Sequence, residues 1–564
     1  LTPEDGSDSD FDPLGQDYTS IELQHRHPEK RSPAEHLDVD EEDEDEGDDD
    51  NDDDDDEKDE RPVLARRGSA STTYSFQLYT PDEERAVVRK FDRRLVLFVA
   101  LLYMLSFLDR SSMCFPLPCD LYYSDSYEDI GNARIAGMDV DLDLHSNQYE
   151  WVLTSFYITY ILFEWMSLLW KIIPAHIYMS IIVLSWGITS SLQALSTSFV
   201  SLIILRILLG IGEAGFTGIP YFLSFFYKKE ELALRTGLFI SAAPLATSFA
   251  SSLAWAILKF GENGPIAPWR LLFLLEGFPS VFIAVLAWHI VPDGPAKAKY
   301  LSKRERKVAR LRLRRRQGEP ASRGNGLKWK EVLQTVLDPK AYLTAFMLLL
   351  TNMAFASMPA FLPTIIRSMG HSSVTSQALS APPYLLSWVI VILTAYLSDR
   401  LRSRSTFIVF HALLSASGYL VLALAGPFGL GLWWRYAAIY PAAIGFFSVI
   451  TIIITWAINN QESESKQGAG FAMLQLIGQC GPLIGTRLYP DKDAPYYTPG
   501  MASCAAAMVG VAILAVILRV YLSMKNRRPE IAKEAEYTEV RNEEDGRTVG
   551  KRRGKGSQGF IYML

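Results

Sequence analysis

From Leu95 to Leu522 the chain alternates between long apolar runs and short polar breaks. The runs fall at 95–108, 151–170, 176–195, 199–226, 236–258 and 269–291, and then at 341–361, 376–397, 406–425, 433–456, 468–488 and 500–522. About 20 apolar residues in a helix suffice to cross a bilayer, and most of these runs reach that length. The pattern predicts an all-α membrane protein of twelve transmembrane helices. Six runs, one long polar interruption and six more runs predict two pseudo-symmetric six-helix bundles.

Between and around the runs, composition sets the expected domains. Residues 1–85 form an acidic tail whose stretch "DVDEEDEDEGDDDNDDDDDEKDE" (38–60) has nothing to bury and repels itself, so disorder is expected. The first bundle occupies 86–295 and the second 341–524. The linker, 296–340, contains "KAKYLSKRERKVARLRLRRRQ", a helix-period basic stretch expected to lie on an anionic leaflet. The polar tail from 525 to 564 is expected to be disordered. Bases gather around Lys228, Lys229 and Arg235, in the linker, in "DRLRSRS" (399–405) and in "KNRR" (525–528), all on one side when every run is counted. The positive-inside rule then puts both termini in the cytoplasm, with the plasma membrane as the expected location.

The net charge of −9 comes from the acidic tail. It says nothing of a nucleic-acid partner, and a basic stretch pinned between membrane spans is a poor nucleic-acid site. Four cysteines, at 114, 119, 480 and 504, show no metal spacing, although Cys114 and Cys119 could pair outside the cell. No metal, no cofactor and no enzymatic activity are expected, and the protein is expected to act as a monomer.

Candidate chemistry lies in polar groups inside the apolar runs. "RILLGIGEAGFTG" (206–218) places Arg206, Gly210 and Glu213 at i, i+4 and i+7, on one helical face. Each buried charge costs about 2.5–3.5 kcal/mol on insertion scales, so such groups face a protein interior or a wet cavity. A functional site and a self-neutralising pair that merely joins helices are both open on this evidence of spacing. The glycines at 210, 212, 215 and 218 let a neighbouring helix or a ligand come close. Asp109 and Arg110 end the first run side by side. In the second half, Asn352, Gln475 and Gln479 are neutral polar residues within runs, and Gly481-Pro482 should loosen the helix just beyond the two glutamines. They can bind polar groups of a solute or bond between helices. Glu164 and Glu276 are expected to be structural, and Trp456, Asn459 and Asn460 to close a gate.

These motifs resemble a known family. The six-plus-six layout resembles the major facilitator superfamily, and "YLSDRLRSRS" (396–405) looks like the second-half copy of its D-R-x-x-R loop, which makes Asp399, Arg400 and Arg404 gating candidates. The first-half counterpart, "WKIIPAHIY" (170–178), has largely lost that pattern. Within the superfamily, "FLDRS", "IGNARIAG", "QYEWVLTSFYITYILFE", "RILLGIGEAGF", "SAAPLA", "WRLLFLLEGFPS", "NNQES" and "LIGQCGPLIGTRLYP" are similar to the anion:cation symporters, in the fungal allantoate permease branch. The resemblance implies proton-coupled uptake of a small organic anion: allantoate, nicotinate, pantothenate or a related vitamin or nitrogen source. It implies Asp109, Arg110, Arg206 and Glu213 as the coupling site.

The residue types suit that task. A guanidinium fork such as Arg110 or Arg206 holds a carboxylate bidentately and stays charged when dry. Asp109 and Glu213 can take the proton, because desolvation raises and a nearby Arg lowers a carboxyl pKa. One sequence departs from the family pattern. About 17 residues (113–129), with helix-breaking prolines, separate "LDRS" from "IGNARIAG", which reads as an extracellular loop, a retained intron or a looped-out insertion. The rival functions are a non-transporting nutrient sensor, an ATP-driven pump and a channel. No phosphate-binding G-x-x-x-x-G-K-[ST] loop supports the pump, and no repeated pore loop supports the channel.

Overall fold

The computed structural model describes residues 79–111, 138–142, 144, 146–261, 265–317, 328–367, 373–485, 487–489, 493, 496–544 and 561–564. The chain divides into two units, Leu1–Tyr74 and Ser75–Leu564, and every described residue belongs to the second. The acidic stretch, Cys114, Cys119, the 113–129 segment and the side chain of Arg110 lie outside the described residues.

Among the described residues twelve helical rods follow one another. The first half contains Leu97–Ser111, Ser146–Phe163, Ala175–Gln193, Phe199–Ala214, the pair Leu232–Ile240 and Ala242–Gly261, and Pro268–Ile290. The second half contains Pro339–Arg367, Ser373–Leu401, Ser405–Leu424, Leu432–Asn459, the pair Glu464–Gly478 and Cys480–Gly485, and Thr498–Glu544. They are called spans one to twelve below. Eight of them are long and apolar enough by length and composition to cross a membrane. Their outward ridges are apolar, as in Phe278, Phe282 and Val285 on span six and Ile513, Val516 and Val520 on span twelve. Trp433 and Trp434, both exposed at the start of span ten, suit the polar–apolar boundary of a bilayer.

The two halves repeat one packing scheme. Span three lies along six, two along four, and one against five and six; span nine likewise lies along twelve, eight along ten, and seven against eleven and twelve. The contacts between halves obey the same twofold relation, five with eight and ten, eleven with two and four. Tight approaches have glycine at the crossing. A Cβ on Gly187 of span three would sit 2.9 Å from the Val281 nitrogen of span six, and one on Gly445 of span ten 2.5 Å from the His411 carbonyl of span nine.

Two boundaries differ from the sequence expectation. The first described helix, Pro81–Phe91, starts ahead of 86, where Thr80 and Glu83 form a reciprocal capping box. Span twelve does not end in a disordered tail at 525. It continues to Glu544, through residues rich in Glu, Lys, Arg and Ala that favour helix, and residues 561–564 are also ordered against the protein. The basic linker helix, Lys303–Gln317, is not simply laid on a surface. Arg312 is buried and bonds Glu84 (3.2 Å), Glu231 (2.5 Å) and the Phe226 carbonyl (3.0 Å), while Arg304 and Glu305 pair with Glu83 and Lys90 of the first helix. That helix and the linker helix are thereby stapled to the first half.

Candidate functional site

Of the polar groups foreseen inside the first half, Asp109, Glu164, Arg206, Glu213 and Glu276 are buried in it. Asp109, on span one, is 2 % exposed, and its Oδ1 accepts a 2.9 Å hydrogen bond from Ser190 Oγ on span three. Span six passes close behind that contact, since a Cβ on Gly277 would lie 2.9 Å from Ser190 Cβ. Arg206 is 2 % exposed, its guanidinium 5.7 Å from the ring of Phe273, one turn from Gly277 on span six. Spans one, three, four and six thus bring an acid, a base and a hydroxyl into one bundle interior, with buried Glu276 on the same segment of span six. Glu213 is fully buried on span four, two turns beyond Arg206, about 10 Å along the axis at 1.5 Å per residue. None of these four charged side chains faces lipid.

The span-four glycines are used for helix packing. A Cβ on Gly210 would lie 2.7 Å from the Phe156 carbonyl of span two, and one on Gly212 2.7 Å from Ser185 Oγ of span three. Further along, Gly215–Gly218 tightens into a 3₁₀ turn that meets a second 3₁₀ turn, Glu164–Leu168. Glu164 Oε2 accepts from Thr217 Oγ1 at 2.6 Å, and Trp170 Nε1 donates to the Gly215 carbonyl at 2.8 Å, so these two breaks brace each other.

In the second half the neutral polar residues divide. Pro482 cannot donate to the Gly478 carbonyl, which a regular helix would require, so that carbonyl is left over. Asn352 Nδ2 of span seven supplies the missing bond at 3.1 Å. Gln475, one turn earlier, is 5 % exposed; its buried Oε1 has no hydrogen bond among the described residues, while Gln479 is half-buried at the break.

An aromatic chain that the sequence reading missed joins the halves. Tyr103 of span one stacks on Phe239 (4.4 Å) and lies near Phe216; Phe107 meets Phe355 of span seven (6.1 Å), which touches Phe446 (5.6 Å) and Phe447 (5.4 Å) of span ten. The only sequence signal is the i, i+4 pair Tyr103 and Phe107 just before Asp109.

At the end that carries the basic loops, the halves are joined. Asp399 accepts from the backbone N–H groups of Ala233 (3.2 Å) and Leu234 (2.7 Å), in the first turn of span five. These are orphan helix donors, so a carboxylate from the other half serves as their cap and meets the positive end of the helix dipole. Arg404, buried, holds Asp399 at 2.6 Å and donates to the Lys229 carbonyl at 3.1 Å, which Asn459 Nδ2 also reaches at 3.0 Å. Arg400 stands exposed beside them. At the twofold-related position, Lys171 donates to Ser465 Oγ (3.0 Å) and lies 3.5 Å from Glu464, and Tyr221 OH donates to the Glu464 carbonyl (2.9 Å). Both inter-half seams are therefore closed at this end.

Two matching helical bundles around buried charges, closed at one end by reciprocal seams, define a polytopic membrane carrier. The Major Facilitator Superfamily profile matches residues 99–486. The chain belongs to that superfamily and is a membrane transporter. It is 30% identical over 455 residues to the MFS transporter prlL of a fungal species (strain NRRL 50135), covering 79% of this chain and 88% of that one. It is 28% identical over 459 residues to the major facilitator-type transporter hxnP of Emericella nidulans, covering 80% and 88%. Among solved structures, the MFS proton:xylose symporter XylE bound to 6-bromo-6-deoxy-D-glucose shares its fold, with a TM-score of 0.54, 13% identity, and coverage of 75% of this chain and 95% of that one.

Proposed function

We propose that the protein takes up a small organic anion together with protons, by alternating access, as a monomer of the plasma membrane, and that it belongs to the anion:cation symporters in the fungal allantoate permease branch. The solute is a carboxylate such as allantoate, nicotinate or pantothenate. The basic end faces the cytoplasm, following the positive-inside rule. Arg110 and Arg206 hold the carboxylate, with Asn352, Gln475 and Gln479 as polar contacts from the second half. Asp109 and Glu213 exchange the proton, and Asp399, Arg400 and Arg404 gate the basic end.

The observation that carries this reading is the burial of Asp109, Arg206 and Glu213 within one bundle, away from lipid. A monoanion moving into a negative interior opposes the field by about 2.3 kcal/mol per 100 mV, and one accompanying proton cancels that. The buried Oε1 of Gln475, which has no hydrogen bond among the described residues, adds a polar contact for the solute. The test is uptake of labelled organic anions into proteoliposomes, with and without a protonophore. Glu213→Gln is expected to abolish accumulation driven by a pH gradient while sparing solute exchange; a variant that still concentrates the anion would end the assignment of Glu213 as the proton carrier.

A further inference from the structure

Residues 561–564 run non-helically across the basic end of the second half, held by side chains of spans seven, ten and twelve and by groups in the turns just before span nine and between spans ten and eleven. Asn526, on span twelve, clamps one residue: its Nδ2 donates to the Tyr562 carbonyl (2.8 Å) and its Oδ1 accepts from the Tyr562 N–H (2.9 Å). Asn460, at the end of span ten, clamps the next in the same way, through Met563 N–H (2.7 Å) and the Met563 carbonyl (3.0 Å). Trp456 Nε1 adds a second bond to that carbonyl at 2.7 Å, and the Arg404 N–H donates to the Leu564 carbonyl at 2.7 Å. An amide side chain reading both backbone groups of one residue imitates the edge of a neighbouring strand, so the site selects an extended peptide.

The side chains add sequence preference. Tyr562 is buried; its hydroxyl donates to Glu462 Oε1 (2.6 Å), and the Nζ groups of Lys340 and Lys525 lie 4.5 and 5.6 Å from the centre of its ring. Met563 Sδ receives Asn459 Nδ2 at 3.5 Å.

We propose that this surface is a binding site for the 561–564 segment, and that its occupation holds the transporter closed at the basic end. The link is residue sharing. Arg404 and Asn459 both contact the segment and both bond the Lys229 carbonyl of the first half. With the segment seated, their positions are fixed for that bond; with it gone, Trp456 Nε1, Asn460 and the Arg404 N–H lose their partners together, and the seam loses its backing. A ligand that binds one of two conformations better shifts the balance toward it, and here the ligand is tethered to the same chain at high effective concentration.

The test uses the purified full chain in detergent, with the four native cysteines changed to serine and a reporter at Thr236→Cys. Thr236 is fully buried, two residues past the Asp399 cap. Removing residues 561–564, or Asn526→Ala, is expected to raise the maleimide labelling rate at least three-fold. Excess synthetic peptide of residues 559–564 is expected to restore the slow rate in the shortened chain. An unchanged rate, or a rise that the peptide does not reverse, overturns the proposal. Labelling in detergent involves no solute or proton gradient, so this result and the organic-anion reading stand or fall separately.

Discussion

Gln475 is poorly placed for stability. An amide oxygen buried without a partner costs about 1–3 kcal/mol, and a methionine of similar length would not incur that cost. Gln475→Met is expected to raise the thermal midpoint in detergent, by an amount equivalent to about 1 kcal/mol, while raising the KM for the carried solute. A stabilised variant with unchanged KM would remove Gln475 from the solute site. Asp109, Arg206 and Glu213 were legible in the sequence because a charge inside an apolar run has no bland surroundings. Tyr103, Phe355 and Phe447 were not, because an aromatic residue in an apolar run looks the same whether it faces lipid, core or cavity. Asn352 was legible as a polar residue but not as the partner of a carbonyl 126 positions away.

At the scale of elements, the breaks in the helices were easier to anticipate than their repairs. Gly481-Pro482 announced the interruption of span eleven, and the structure shows who satisfies it. Asn352→Ala should leave the Gly478 carbonyl unpaired and lower stability by about 1–3 kcal/mol, read as a fall in the thermal midpoint. Gly210→Ala should also destabilise, by about 1–3 kcal/mol through overpacking, since a Cβ there would meet the Phe156 carbonyl and the Tyr160 nitrogen, backbone atoms that cannot swing aside, as well as Thr159 Oγ1. The Thr80–Glu83 capping box was present in the sequence as T-x-x-E followed by an amphipathic helix, but the long acidic stretch before it masked the signal. The extent of span twelve was missed for a different reason. Hydropathy ends near Leu522, while helix propensity does not.

For the whole molecule, the six-plus-six pattern gave the fold, because only helices satisfy their own backbone across a bilayer. What hydropathy could not give was which spans meet across the midline. Asp399→Ala should uncap span five from the opposite half and speed labelling at Thr236→Cys, with the unaltered Lys171 seam limiting the effect. The seated 561–564 segment should be insensitive to pH near neutrality. Against burial, which raises it, hydrogen bonds from Lys466 and Tyr562 and the charge of Lys340 lower the Glu462 carboxyl from 4.5 to about 2. Of these only the Tyr562 hydrogen bond comes from the segment; it favours docking while the carboxyl is ionised, and that advantage is lost only as the carboxyl is protonated in acid, well below neutrality. Labelling should therefore be flat between about pH 6 and 8, and a transition there would point to another group.

The twofold repeat is broken at the two seams. On one side a carboxylate caps backbone donors and is locked by a fully buried arginine; on the other a lysine reaches an acid that is 22% exposed. Mobile ions attenuate the second pairing far more than the first. The order of release is then set by the unlike chemistry: rising ionic strength would free the Lys171 edge while the Asp399 edge stays fastened, so the molecule would pivot open from one flank.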